Sequence, residues 1–299
     1  MVYPALAIRS GDHWTLVAVY PDTSILVKAT YKDAALTVKD GPYSLYFPKQ
    51  IEVRSGSYRN NNPDGEWRFY YPGGQLKTRG VVSNNHLTGK WTSWYANGQP
   101  MAEKQYIYEG SEALTHASPP IYNVQGVLDE FTPEGTLEGP ALGWYENGQP
   151  ESIVSYHRDS LTGNCSFFRE NGQPSSKETY VHGKVTALSC YDEQGKYTGE
   201  ACPVLKLPVF VHPFLSPEEF VEEELHKDKN RDIKTEGDAA VQFTVTKAGK
   251  VEDIKFISTP DPALSRHLIR ILAAMPWSAA VSHNRKIDFP VKLNIPYYR

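Results

Sequence analysis

The chain has 299 residues and a net charge of only −4, with a generous supply of Tyr (19), Gly (22) and Pro (22). That length leaves room for two cores, and the balanced charge lacks the basic footprint of a nucleic-acid binder. No apolar run approaches the roughly 18 residues that cross a bilayer, and the Tyr/Gly/Pro skew suits many short strands joined by tight turns.

Residues 1–40 are expected to supply one or two capping strands to the segment that follows. Met1 to Ile8 lacks the basic n-region of a secretory signal. Either the protein is cytosolic or this sequence follows a removed leader.

From Gly41 to Gly199 one phrase recurs. It reads Tyr70-Tyr71-Pro72-Gly73-Gly74-Gln75, Trp94-Tyr95-Ala96-Asn97-Gly98-Gln99, Trp144-Tyr145-Glu146-Asn147-Gly148-Gln149 and Phe168-Arg169-Glu170-Asn171-Gly172-Gln173. A second glycine stands nine residues before each last turn glycine: Gly65, Gly89, Gly139 and Gly163. Gly41 to Gly65, Gly65 to Gly89 and Gly139 to Gly163 are each 24 residues. A fixed period of this length marks a stacked array. Asn-Gly predicts a type I′ hairpin turn, in which both central residues take positive φ, and Gly73-Gly74 meets the same demand. Each repeat therefore reads as strand, tight turn, strand, turn.

Gly126 and Gly135 keep the nine-residue spacing, Gly110 to Pro120 breaks it as a loop insertion, and Tyr191 to Gly195 is a decayed last copy. Trp67, Phe69 and Tyr71 point to one face and Tyr70 to the other, which predicts an aromatic ladder between stacked hairpins. Tyr70, Trp94 and Trp144 are the candidate repeat-surface aromatics.

Cys165, Cys190 and Cys202 form no metal motif. Cys165 and Cys190 share a strand face in neighbouring repeats, which leaves open both a cross-repeat disulfide in an oxidising compartment and a pair of buried free thiols. The nine histidines form no HExxH or HxH pattern. His157 beside Arg158-Asp159-Ser160 is a turn of low catalytic specificity. Asp228 to Glu236 lacks a calcium-loop glycine and terminal glutamate and reads as a polar loop. Gly73-Gly74 is no phosphate cradle, since no helix follows it. Neither a catalytic residue nor a metal or other cofactor is expected.

Residues 201–215 are proline-spaced and read as a linker, and 216–299 as a second domain. Ser216-Pro217-Glu218-Glu219 is a capping box with Pro at the first helical position. Val241, Phe243 and Val245 alternate with polar residues, Ala248-Gly249 turns, and Val251 to Ile257 completes a hairpin. Asp261-Pro262 opens a helix over Leu264, Leu268, Ile271, Leu272 and Met275, stopped by Pro276. Ile287, Phe289, Val291, Leu293 and Ile295 alternate as a last strand. The fold class is an all-β repeat array of stacked hairpins followed by a small α+β domain with one covered sheet face.

The recurring Gly-x-Trp-x-x-(Trp/Tyr)-Tyr-x-(Asn/Gly)-Gly-Gln phrase resembles the MORN-type repeat in its bacterial variant form, over about 41–200. Such repeats serve as scaffolds, spacers and interaction surfaces.

Residues 205–298 resemble the C-terminal domain of TonB-like energy transducers, on Val241 to Ile254, Asp261-Pro-Ala-Leu264, Met275-Pro-Trp277 and Lys286 to Leu293. That resemblance implies a periplasmic domain that captures a short peptide of an outer-membrane transporter by strand addition. The peptide-binding edge would comprise Ile287, Asp288, Phe289, Val291, Lys292 and Leu293. Asn284-Arg285 replaces the family's turn glycine, and Pro290 removes one amide from that edge.

The expected function is a non-enzymatic, cell-envelope binding or scaffold protein with a protein or peptide partner. The alternative is a cytosolic repeat scaffold or antitoxin-like partner protein.

Overall fold

The computed structural model describes residues 4–108, 121–122, 128–129, 133–227 and 233–298. The expected loop insertion Gly110–Pro120, the Gly126 copy and part of the polar loop after Lys227 lie outside the described residues. The chain divides into two units, Met1–Leu188 and Ser189–Arg299.

The first unit is an antiparallel meander, with Ile121–Tyr122 and Leu128–Asp129 paired to each other in a separate two-stranded sheet. Three strands, Ala5–Ser10, His13–Val19 and Ile25–Tyr31, precede the repeats and pair in order with Lys39–Phe47, where one or two were expected. Hairpins Lys39–Phe47/Ile51–Arg59, Asn62–Tyr70/Leu76–Ser83 and His86–Trp94/Pro100–Ile107 continue it. Gly139–Trp144 then pairs with Pro100–Ile107 on one side and Pro150–His157 on the other. The next copy, Gly163–Phe168/Pro174–Val181, follows through Ser152↔Phe167 and Ile153↔Ser166. The hairpin 137–158 therefore stacks directly on 87–108, despite the sequence between them.

The phrase turns are not type I′. Gly98 N–H donates to the Tyr95 carbonyl and Tyr95 N–H to the Gln99 carbonyl, both at 2.9 Å. Gly98 takes φ +86°, whereas Asn97 is not among the positive-φ residues. This is a three-residue loop closed by one left-handed glycine, and a side chain with a Cβ is strained there. Asn97 instead accepts from the Gln99 amide at 2.9 Å, as Asn147 does from Gln149.

The type I′ geometry sits at the opposite connectors. Asn60 and Asn61 (φ 49° and 69°), Asn84 and Asn85 (47° and 68°), and Arg158 and Asp159 (48° and 63°) each form a two-residue turn.

The array core holds Tyr43, Leu45, Tyr58, Trp67, Val82 and Trp91, with Trp67 wholly buried. Trp67 meets Tyr58 edge-on at 5.3 Å between centroids, a favoured aromatic geometry. Gly80 faces Trp91 so closely that a Cβ there would lie 2.1 Å from the indole. The ladder is not aromatic throughout. Ala141 and Cys165 occupy the later equivalents of Trp67 and Trp91, packed with Val154, Phe167 and Tyr180.

The second unit centres on a three-stranded sheet in the order Val251–Ser258, Gly237–Val245, Phe289–Tyr297. Helices Pro217–Lys227 and Pro262–Ala274 supply Val221, Leu225, Leu264, Leu268 and Leu272 to the core beside Val241, Phe243 and Ile295. The capping box is formed: Ser216 N–H donates to Glu219 Oε2 at 2.8 Å and Glu219 N–H to Ser216 Oγ at 3.2 Å. Asp261 caps the second helix by accepting from the Ala263 amide at 2.8 Å.

The segment read as a linker is woven into this unit. Leu205–Lys206 pairs with 281–282, Val209–Phe210 pairs with Trp277–Ser278, and Phe210 packs on Phe220 and Trp277. Proline spacing masked it, because Pro203 and Pro208 fall outside both short pairings. Asp192 N–H donates to the Lys196 carbonyl at 2.9 Å, so the decayed last copy does turn.

The cysteine pairing is Cys190–Cys202, and Cys165 is a buried free thiol. A Cys165–Cys190 bridge is thus ruled out: Cys202 follows the Tyr191–Tyr197 hairpin and reaches Cys190 at a Cα distance of 6.0 Å, inside the range a disulfide spans.

Candidate functional site

Two surfaces carry the candidate residues. The first is the outward face of the array. Tyr70, Trp94 and Trp144 are half-buried and occupy equivalent places, each paired across its hairpin next to a register shift: Tyr70↔Leu76, Trp94↔Pro100, Trp144↔Pro150. The pattern extends to Tyr46↔Glu52 and Phe168↔Pro174.

Hydroxyls hold this row in place. Tyr71 donates to the Trp94 carbonyl at 2.9 Å, Tyr95 to Trp144 at 2.8 Å and Tyr145 to Phe168 at 2.7 Å. Burial, with help from Glu151 and Glu146, pushes the Tyr95 phenol above its ordinary value, so it remains a donor. Asn97 and Asn147 Nδ2 donate to the Glu146 and Glu170 carbonyls of the following repeat at 3.1 and 2.7 Å. The conspicuous Tyr and Asn of the phrase are thus stacking devices, and the residue before the Tyr is the one presented outward. Trp94 and Trp144 line one groove with Glu66, Arg79, Lys90 and Glu103.

The second surface is the edge of Phe289–Tyr297. Its pairing with Gly237–Val245 runs unbroken from Val245↔Phe289 to Gly237↔Tyr297. Val291, Leu293 and Ile295 pack into the helix-covered core and Phe289 shares their parity, while Pro290, Lys292, Asn294 and Pro296 are exposed. Amides in a strand point alternately to its two edges, and proline is tolerated where no ladder bond is needed. Pro290 and Pro296 share a parity, so that parity faces the open edge. Lys292 and Asn294 are its amide donors.

The expected edge residues are split by the structure. Ile287 ends a separate strand, Arg285–Ile287, paired with 280–282, and Asp288 accepts from the Lys247 amide at 2.6 Å. Phe289, Val291, Lys292 and Leu293 do share the edge strand. Asp288 breaks a hydrophobic alternation that reads as continuous in sequence, because its carboxylate is committed to a neighbouring turn.

His157 Nδ1 lies 3.2 Å from Glu138, and Asp159 accepts from the Leu137 amide at 2.8 Å. The Arg158 amide, then His157, holds the Glu138 carboxyl below its ordinary value. These are connector contacts between hairpins, the role that a turn reading of His157 to Ser160 implies. Sequence reading missed Glu178, which is 2% exposed and accepts from Ser176 Oγ at 2.6 Å and from the Tyr180 hydroxyl at 2.5 Å. The signal for it in the sequence was a single exchange, since Glu178 stands opposite Cys165 where Val154 stands opposite Ala141 in the preceding repeat. Beside it, burial pushes the Cys165 thiol up, which disfavours its reactive thiolate.

Hairpins of fixed period, with aromatic, Tyr and Asn positions in register, fit one family model. Four stretches of this chain match the MORN repeat variant. They are residues 63–84, 87–108, 137–158 and 161–182, the successive hairpins described above. Matches 63–84 and 137–158 end in the two-residue turns at Asn84-Asn85 and Arg158-Asp159, and 87–108 and 161–182 start just after those turns, so the MORN unit is the phrase hairpin. No curated protein matches the chain.

Proposed function

We propose that this chain is a non-enzymatic cell-envelope binding protein, in which the MORN array serves as a scaffold and the C-terminal unit takes an extended peptide along the Phe289–Tyr297 edge. The observation that carries this reading is the regularity of that edge. The opposite edge strand, Val251–Ser258, is blunted by Asp253 at φ 53° and by two register shifts against its neighbour, features that discourage strand addition. The resemblance of residues 205–298 to TonB-like C-terminal domains supports the same reading, since those domains bind transporter peptides by strand addition. The Cys190–Cys202 bridge supports an oxidising compartment such as the periplasm.

Calorimetric titration of the full chain with short peptides from outer-membrane transporters tests this. Asn294→Pro removes an open-edge amide without touching the inner ladder and abolishes binding, while Asn294→Ala retains it. Equal binding by both variants sinks the proposal.

The four MORN matches also suit a cytosolic scaffold. Recovery of the native protein in the cytosol with all three cysteines reduced selects that reading instead.

A further inference from the structure

The outward aromatic row serves no purpose in the edge-strand reading, and its spacing has chemical content. Tyr46, Tyr70, Trp94, Trp144 and Phe168 recur once per hairpin at the same register. Strands lie about 4.8 Å apart, so successive rings of the row stand about 9.5 Å apart. Side chains on one face of an extended peptide repeat every 6.6 Å or so, out of step with this row. In an extended β-1,4-linked glycan, alternate sugars present the same apolar ring face, and the disaccharide repeat is close to the row's spacing. We propose that the outward face of the MORN array binds a neutral β-1,4-linked glycan, with alternate sugar rings stacked against Trp94 and Trp144.

Three further observations fit that ligand. Trp94 and Trp144, the two largest rings of the row, line a single groove together with Glu66, Arg79, Lys90 and Glu103. The groove's charges are balanced, and Lys90 pairs with Glu103 at 2.7 Å, so it offers hydrogen-bonding groups for hydroxyls without a net field for a polyanion or an anionic membrane. The row is also pre-organised. The Arg79 guanidinium lies 5.8 Å from the centroid of the Trp94 ring, and the Tyr95 hydroxyl fixes the backbone of Trp144. Rings held at a set pitch suit a repeating polymer, because little entropy remains to be lost on binding.

The test is titration of the full chain with β-1,4-linked N-acetylglucosamine hexamer and dimer, followed by tryptophan fluorescence and calorimetry. The hexamer reaches both rings and the dimer only one, so the hexamer binds about tenfold tighter or more. Trp94→Ala and Trp144→Ala each remove that length dependence. Trp94→Phe and Trp144→Phe, which keep a ring in place, weaken hexamer binding several-fold with an unchanged melting profile. No binding by the hexamer, equal affinity for hexamer and dimer, or unaltered binding in all the tryptophan variants overturns the proposal.

Discussion

The Tyr95 hydroxyl donates to the Trp144 carbonyl at 2.8 Å across 49 residues of sequence. The same bond joins Tyr71 to Trp94 and Tyr145 to Phe168 over 23 residues. The stacking rule therefore survives the break in the 24-residue period. Removing it with Tyr95→Phe leaves the Trp144 carbonyl without this donor, at a cost of about 1 kcal/mol. Urea unfolding should show the loss as a lower midpoint at an unchanged slope. Tyr145→Phe should behave alike, while Tyr108→Phe, an exposed tyrosine outside the series, should be close to neutral.

Gly80 is required by packing rather than by a turn. A methyl group there would lie 2.1 Å from the Trp91 indole. Overpacking of this kind costs about 1–3 kcal/mol. The gain from a stiffer unfolded chain is only about 0.4–1 kcal/mol, so Gly80→Ala destabilises. Thermal melting should record that loss, and the Trp91→Leu background, which vacates the clash, should remove most of it.

Much of this was legible in the sequence, for physical reasons. The period of the array, the capping box at Ser216 and the Asp261 helix start are local signals, and each is formed. What failed was non-local. Asn97-Gly98 reads as a type I′ turn, yet the Asn side chain is used to reach Glu146 of the next repeat, which its own hairpin cannot reveal. Two-residue turns at Asn60-Asn61 and Asn84-Asn85 carry a weaker dipeptide signal. Ile287 and Phe289 look like one strand face, and only the bond from the Lys247 amide to Asp288 shows why they part. Cys202, which bridges to Cys190, lies outside the repeat pattern, and that pattern left a Cys165–Cys190 bridge and two buried free thiols both open.

The cysteine assignment has a direct chemical check. Alkylation of the unfolded, unreduced chain should label one thiol, Cys165, and the folded chain should resist labelling because that thiol is buried. Cys202→Ser opens a link across a sequence separation of 12 and should cost about 3 kcal/mol. A bridged peptide containing Cys165 would contradict the assignment.

Asp261 makes the second unit acid-sensitive. The Lys234 amide, then those of Ala263 and Thr235, hold its carboxyl below the ordinary value of 3.8. A carboxyl depressed in the folded state contributes stability that is complete above 3.8 and is lost as pH falls through the lower folded value. Melting temperature should therefore fall below that pH in the wild-type chain. The fall should be shallower in Asp261→Asn, which starts less stable at neutral pH.

The central claim is that an extended peptide pairs with the Phe289–Tyr297 edge. Hydrogen exchange of the full chain, with and without a saturating transporter-derived peptide, tests it at single amides. The account predicts slowed exchange at Lys292 and Asn294, with Val251–Ser258 and the exposed array edge Ala5–Ser10 unchanged. Protection at either of those strands, with Lys292 and Asn294 unaffected, would contradict it.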